Sequence, residues 1–113
     1  MMNNDYIRGY FDAHGYIYST KRRSGALRWQ LVFQDQDRSQ IGRAHTFLTD
    51  EGYHPGIYPR KDKGLLFGPR NVQGMIITRQ AELKRFIEEV GTERPEIQER
   101  FSQFLIDKGV AGV

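Results

Sequence analysis

The side chains best suited to act on a polyanion are basic and amide residues gathered near two turns of the chain. Eight of the 17 lysines and arginines fall in two short stretches, with Lys21, Arg22, Arg23 and Arg28 in the first and Arg60, Lys61, Lys63 and Arg70 in the second. Just beyond the first turn, Arg28, Gln30, Val32 and Gln34 alternate with Leu27, Trp29, Leu31 and Phe33. An extended strand with this alternation presents donors and acceptors for base edges or phosphates on one face and apolar groups on the other. Cations on the turns would neutralise phosphates, release counterions and make binding strongly salt-dependent. A merely solvated surface gives the same pattern, so charge alone does not decide. Other chemistries find little support. His14, His45 and His54 show no His-Glu-x-x-His or other tight ligand spacing. The absence of cysteine excludes disulfides, thiolate zinc sites and thiol redox chemistry. Ser19, Ser24, Ser39 and Ser102 lie in no nucleophile motif, and there is no phosphate-binding glycine loop. His45 falls on the apolar stripe of a helix and reads as a packed, hydrogen-bonded histidine. Trp29 reads as core, and Tyr16, Tyr18 and Tyr58 stand open between packing and contact roles.

These residues need a scaffold, and its elements follow from periodicity. Asn3, Asn4 and Asp5 are helix-capping types, Tyr6, Ile7, Tyr10 and Phe11 recur at helical spacing, and Gly15 marks a stop. Tyr16 to Thr20 is a strand by its aromatic and β-branched content, Lys21 to Gly25 a turn, and the alternating segment after it the second strand of a hairpin. Asp37 and Gln40 open a second helix in capping-box spacing, with Ile41, Ala44, His45 and Leu48 on its stripe and Gly52 at its end. Tyr53 to Arg60, Lys61 to Gly64 and Leu65 to Thr78 predict strand, turn and strand, the last interrupted by Gly68-Pro69 and Gly74. Leu83, Phe86, Ile87 and Val90 mark a helix ending at Gly91. Pro95 opens another with Ile97, Phe101, Phe104 and Leu105 on one side and Gly109 at its end. The order αββαββ followed by helices predicts an α+β layer with one sheet face covered and the other open.

The first helix carries a motif. Tyr6-Ile7-Arg8-Gly9-Tyr10-Phe11-Asp12-Ala13-His14-Gly15 resembles the signature helix of LAGLIDADG homing endonucleases, in the intein-type version with Arg-Gly-aromatic-Phe-Asp-Ala before an acid and a glycine. Leu31 to Gln34, the pairs Phe47-Leu48 and Gly52-Tyr53, and Leu83 to Gly91 continue the likeness, which spans roughly residues 4 to 105. It implies an αββαββα fold with an open antiparallel saddle sheet laid over double-stranded DNA. It also implies a homodimer, since only one motif copy is present, joined through Tyr6, Gly9, Tyr10 and Ala13. Gly9 removes a side chain where two helices would cross, although the aromatic stripe also suits packing on the protein's own sheet. In the family, the acid before the closing glycine holds divalent metal that polarises the scissile phosphate and activates water. His14 stands at that position. An imidazole suits transition metals better than magnesium. Asp12 is then the remaining candidate catalytic acid, with His14 beside it as the second candidate catalytic residue, and capping or helix packing is the other reading of Asp12. A family lysine near the start of the last helix corresponds to Ile97, two residues after Pro95, so a cation that would stabilise phosphoryl charge is missing.

At 113 residues, with 38% apolar and 12% aromatic content, the chain fits one soluble domain over residues 1–113. No apolar run reaches membrane-spanning length and the N-terminus lacks a secretory pattern, so a cytoplasmic site is expected. A net charge of +3 and pI near 9.3 agree with a nucleic-acid partner. The expectation is therefore a duplex-DNA-binding homodimer without a required cofactor and with impaired cutting. The alternatives are a magnesium-dependent endonuclease making double-strand cuts, and a scaffold reused to bind a protein partner.

Overall fold

A computed structural model of the chain describes residues 3–59 and 73–108. The first helix, α1 (Asn4–His14), begins where expected because the Asn3 side chain accepts from the Tyr6 amide at 2.8 Å. It passes directly into β1 (Gly15–Lys21), which turns back into β2 (Leu27–Asp35). Asp37 caps α2 (Arg38–Asp50), accepting from the amides of Ser39 and Gln40. Those bonds hold its carboxyl below the usual range, the Ser39 hydroxyl contributing most. The Gln40 side chain does not close the capping box; it accepts from the Tyr6 hydroxyl instead.

Gly52 ends α2 as expected, with φ of +97°. Its amide donates to Thr49 and the Tyr53 amide to Leu48, satisfying carbonyls the helix leaves open. This turn corrects the second hairpin's start. Tyr53 is buried in the core and Pro55 has no N–H to pair, so β3 spans only Gly56–Pro59. Its partner, β4 (Gln73–Ile77), runs unbroken through Gly74, where an interruption was expected. The predicted basic turn around Lys61 and Lys63, together with Arg60 and Arg70, lies outside the described residues, as does Gly109. Then come α3 (Gln80–Glu89), closed by Gly91 at φ +72°, and α4 (Pro95–Asp107) with Pro95 in its first turn.

The strands form one antiparallel sheet in the order β1-β2-β4-β3. On its inner face Ile17, Trp29, Leu31, Phe33, Met75 and Ile77 meet Ile7 and Phe11 of α1, Ile41, Ala44 and Leu48 of α2, Leu83 and Phe86 of α3, and Ile97, Phe101 and Phe104 of α4. The fold is α+β, with its helices gathered on one side of an open sheet, as the alternation required. Phe11 is the hub. Its ring lies 5.3 Å from Phe33, 5.4 Å from Phe86 and 6.0 Å from Phe101, centroid to centroid. Gly15 exists to admit that ring, since a Cβ there would stand 2.2 Å from Phe11 Cδ1, while its φ of −122° suits any residue.

Candidate nucleic-acid interface and the end of the motif helix

The outer sheet face is built by register. Arg28, Gln30 and Gln34 stand on the β2 face opposite Trp29, Leu31 and Phe33, and they pair across the ladders with Thr20, Tyr18 and Gly74 respectively. Arg28 and Gln34 are exposed and Gln30 half-buried. Lys21, Arg22 and Arg23 follow at the distal end of the same hairpin, all exposed. The described half of the expected basic surface thus forms one continuous region: a polar strand face leading to a basic turn.

The motif helix divides its residues among several environments. Phe11 and Ile7 enter the core. Arg8 and Asp12, one turn apart, face the segment between α3 and α4: Arg8 Nε donates to the Val90 carbonyl at 2.8 Å, and Asp12 accepts from the Thr92 hydroxyl with one oxygen and from the Glu93 amide, at 2.9 Å, with the other. Arg94 returns toward the helix end, donating to the carbonyls of Asp12 at 3.1 Å and Gly15 at 3.4 Å while pairing with Glu96 at 2.7 Å. On another side, Tyr6 is half-buried, and Tyr10 is buried with its hydroxyl donating to Asp35 at 2.8 Å. Burial first, then the Asp35 carboxylate, push the Tyr10 hydroxyl far above the usual phenol range. His14 lies beside Tyr10, ring centroids 4.9 Å apart, with Nε2 3.8 Å from Asp35 Oδ2. Asp5, Gly9 and Ala13 form an exposed line along the helix, with Asn4 and His14 exposed at its two ends, and a Cβ on Gly9 would meet no described atom within 4 Å.

Asp35 and Arg94 were not singled out by sequence reasoning. Asp35 sits one residue past the alternating pattern, where an acid at a strand end looks like a turn residue. Its side chain is only 11% exposed and joins Tyr10, His14 and the Asp37 amide. Arg94 is a helix-flanking arginine in sequence and a clamp on α1 in space. Ile97, matched by resemblance to a lysine position, is wholly buried, so that position points into the core; Arg94 is a cation held at the end of α1. His45 matches its expectation: it is half-buried, with Nε2 3.0 Å from the Pro55 carbonyl. His54 is bound to Glu82 through both its amide and its imidazole.

At the end of α1 both oxygens of Asp12 and both of Asp35 accept hydrogen bonds within the chain, and the exposed group beside them is the His14 imidazole, a softer donor than a hard divalent cation prefers. Among the described residues no cluster of three or more histidine, aspartate or glutamate side chains is arranged to hold a metal ion.

Residues 2–91 match the family model of the LAGLIDADG-like domain. The chain belongs to this family. No curated protein matches the chain by sequence. Among solved structures it is similar in fold to the LAGLIDADG meganuclease I-AabMI bound to uncleaved DNA, at a TM-score of 0.66 and 14% identity, covering 95% of this chain and 38% of that one. It is similar as well to the archaeal intron-encoded homing endonuclease I-Vdi141I complexed with DNA, at 0.64 and 18%, covering 95% and 67%. A third likeness is the homing endonuclease I-CvuI in complex with the I-CreI target in the presence of magnesium, with the DNA not cleaved, at 0.66 and 12%, covering 96% and 68%. This LAGLIDADG-like domain thus spans little more than a third of I-AabMI and about two thirds of the other two. Among its described residues no helix is long and apolar enough to cross a membrane.

Proposed function

We propose that the protein binds duplex DNA as a homodimer through the outer face of its sheet and does not cut it. The observation that carries the reading is the polar outer face of β2, on which Arg28 and Gln34 are exposed. Arg28, Gln30 and Gln34 project there on the side opposite the core, and Lys21, Arg22 and Arg23 extend the face with positive charge. A two-stranded ribbon of this width enters a major groove, where arginine pairs with guanine O6 and N7 and glutamine with adenine N6 and N7. Lys21, Arg22 and Arg23, with Arg60, Lys61, Lys63 and Arg70 of the second hairpin, serve as phosphate anchors. The dimer forms along the exposed line of α1, where Gly9 and Ala13 permit close approach and Tyr6 and Tyr10 flank the crossing. Cutting is lost because His14 replaces the shared acid and Asp12 is engaged with Thr92 and Glu93. Magnesium has no anchor there.

The test is duplex binding across a salt series with matched and scrambled sequences. Affinity is expected to fall steeply with salt, Arg28→Ala to relax sequence preference, and Lys61→Ala to weaken all sequences alike. Capture of a protein with no salt-sensitive DNA binding would overturn the reading in favour of a protein partner.

A further inference from the structure

The outer face is not uniformly polar. The strand register sets its side chains in transverse rows, and one row reads Tyr16, Val32, Ile76, Gly56 across β1, β2, β4 and β3. Beside it run rows with amide groups: Tyr18 opposite Gln30 on one side, Gln34 opposite Gly74 on the other. Val32 is only 7% exposed and lies outside the main hydrophobic cluster, so it forms the floor of an apolar strip on the outer face that reaches the edge of the core through Tyr16. Tyr16 and Ile76 are half-buried, and Tyr18 is 48% exposed with its ring 5.1 Å from that of Tyr16. A Cβ on Gly56 would come within 3.6 Å of Ile76 Cγ2, so the glycine leaves that flank of the isoleucine uncovered.

Apolar carbon in the middle of a polar face favours a partner that offers apolar carbon in return. The major groove of DNA offers one such group, the 5-methyl of thymine, and across the same base pair adenine presents the N6 and N7 atoms that an amide side chain reads bidentately. An apolar strip flanked by Gln30 and Gln34 is complementary to both halves of an A·T pair. The adjoining Arg28 and the Lys21 to Arg23 turn give the face the charge that a phosphate backbone requires.

We infer that the strip formed by Tyr18, Val32 and Ile76 reads thymine methyl groups, making this LAGLIDADG-like domain selective for A·T pairs opposite the centre of its sheet; the inference rests on the DNA-binding reading above. Duplexes enriched by the protein from a random library supply the probe, and each selected thymine is replaced in turn by deoxyuridine, which removes the methyl alone. Affinity is expected to drop about fourfold at the positions the strip covers, equivalent to ~0.8 kcal/mol for one buried methyl. Ile76→Thr keeps the β-branched shape, and its dichroism spectrum checks that the sheet is intact; it is expected to bind with that dT-to-dU difference reduced. Equal affinity of the parent protein for dT and dU duplexes, with salt-sensitive binding preserved, overturns methyl reading and leaves DNA binding intact. Full retention of the difference in both Ile76→Thr and Tyr18→Thr also overturns it. Absence of salt-sensitive binding to either duplex removes the DNA reading and this inference together.

Discussion

The packed sides of α1 and its exposed line sit on the same eleven residues and follow different rules. On the packed sides every group has a partner: Phe11 fills the junction of β2, α3 and α4, Arg8 and Asp12 hold the α3–α4 segment, and Tyr10 bonds Asp35. Along Asp5, Gly9 and Ala13 the helix is exposed: a Cβ on Gly9 would meet no described atom within 4 Å, and Asp5 pairs only with Arg8 of its own helix at 3.1 Å among the described residues. A substitution on the first set should therefore act on folding, and one on the second on association. The motif helix thus joins a core, a tether and an exposed line that we propose as the dimer interface, and residues one position apart should report on different properties.

That division can be broken by mutation, and the largest effect is expected at its hub. Phe11→Ala should cost about 3–5 kcal/mol in urea unfolding, because it empties the space between three helices and the sheet. A loss under about 1 kcal/mol would mean the hub is not rigid. Gly15→Ala should cost about 1–3 kcal/mol, since the new methyl overlaps the Phe11 ring and forces it off its rotamer. The double variant Gly15→Ala with Phe11→Leu is expected to recover part of that loss. Asp12→Ala should cost about 1–2 kcal/mol by leaving the Thr92 hydroxyl and the Glu93 amide without their acceptor. Hydrogen exchange should then rise in residues 91–94 before it rises in the sheet. The smallest effect on folding is expected from Gly9→Leu, within about 1 kcal/mol of the parent and toward greater helix stability. Sedimentation should nonetheless show a parent dimer reduced to monomer by this substitution. A parent that stays monomeric at high micromolar concentration contradicts the assembly.

Much of this was legible in the sequence because it is written in local periods. The α1 limits, the alternation of β2, the α2 stop at Gly52 and the proline start of α4 all follow from caps, spacing and glycine or proline chemistry within a few residues. Where those signals conflicted with tertiary demands, the sequence reading drifted. Tyr53 looked like a strand residue by type and is held in the turn that closes α2, and Gly74 looked like a break and is paired on both sides. Long-range polar partners left no local trace. Asp12 meets Thr92 and Glu93, and Arg94 meets the end of α1, across about eighty positions of chain; no spacing rule reaches that far. Val32 is a subtler case, since alternation put it on the polar face and the register then surrounded it with Tyr16 and Ile76.

We propose that this LAGLIDADG-like domain binds DNA through its outer sheet face without cutting it, and both halves of that proposal can be scored together. The most direct measurement incubates the parent protein with magnesium or manganese and a large random duplex library, scoring bound sequences and broken ends in the same sample. The expected result is enrichment of a sequence-selective, salt-sensitive bound fraction with no reproducible breaks. Reproducible double-strand cuts that disappear in Asp12→Asn would contradict it, and would make Asp12 a metal ligand rather than the tether of the α3–α4 segment.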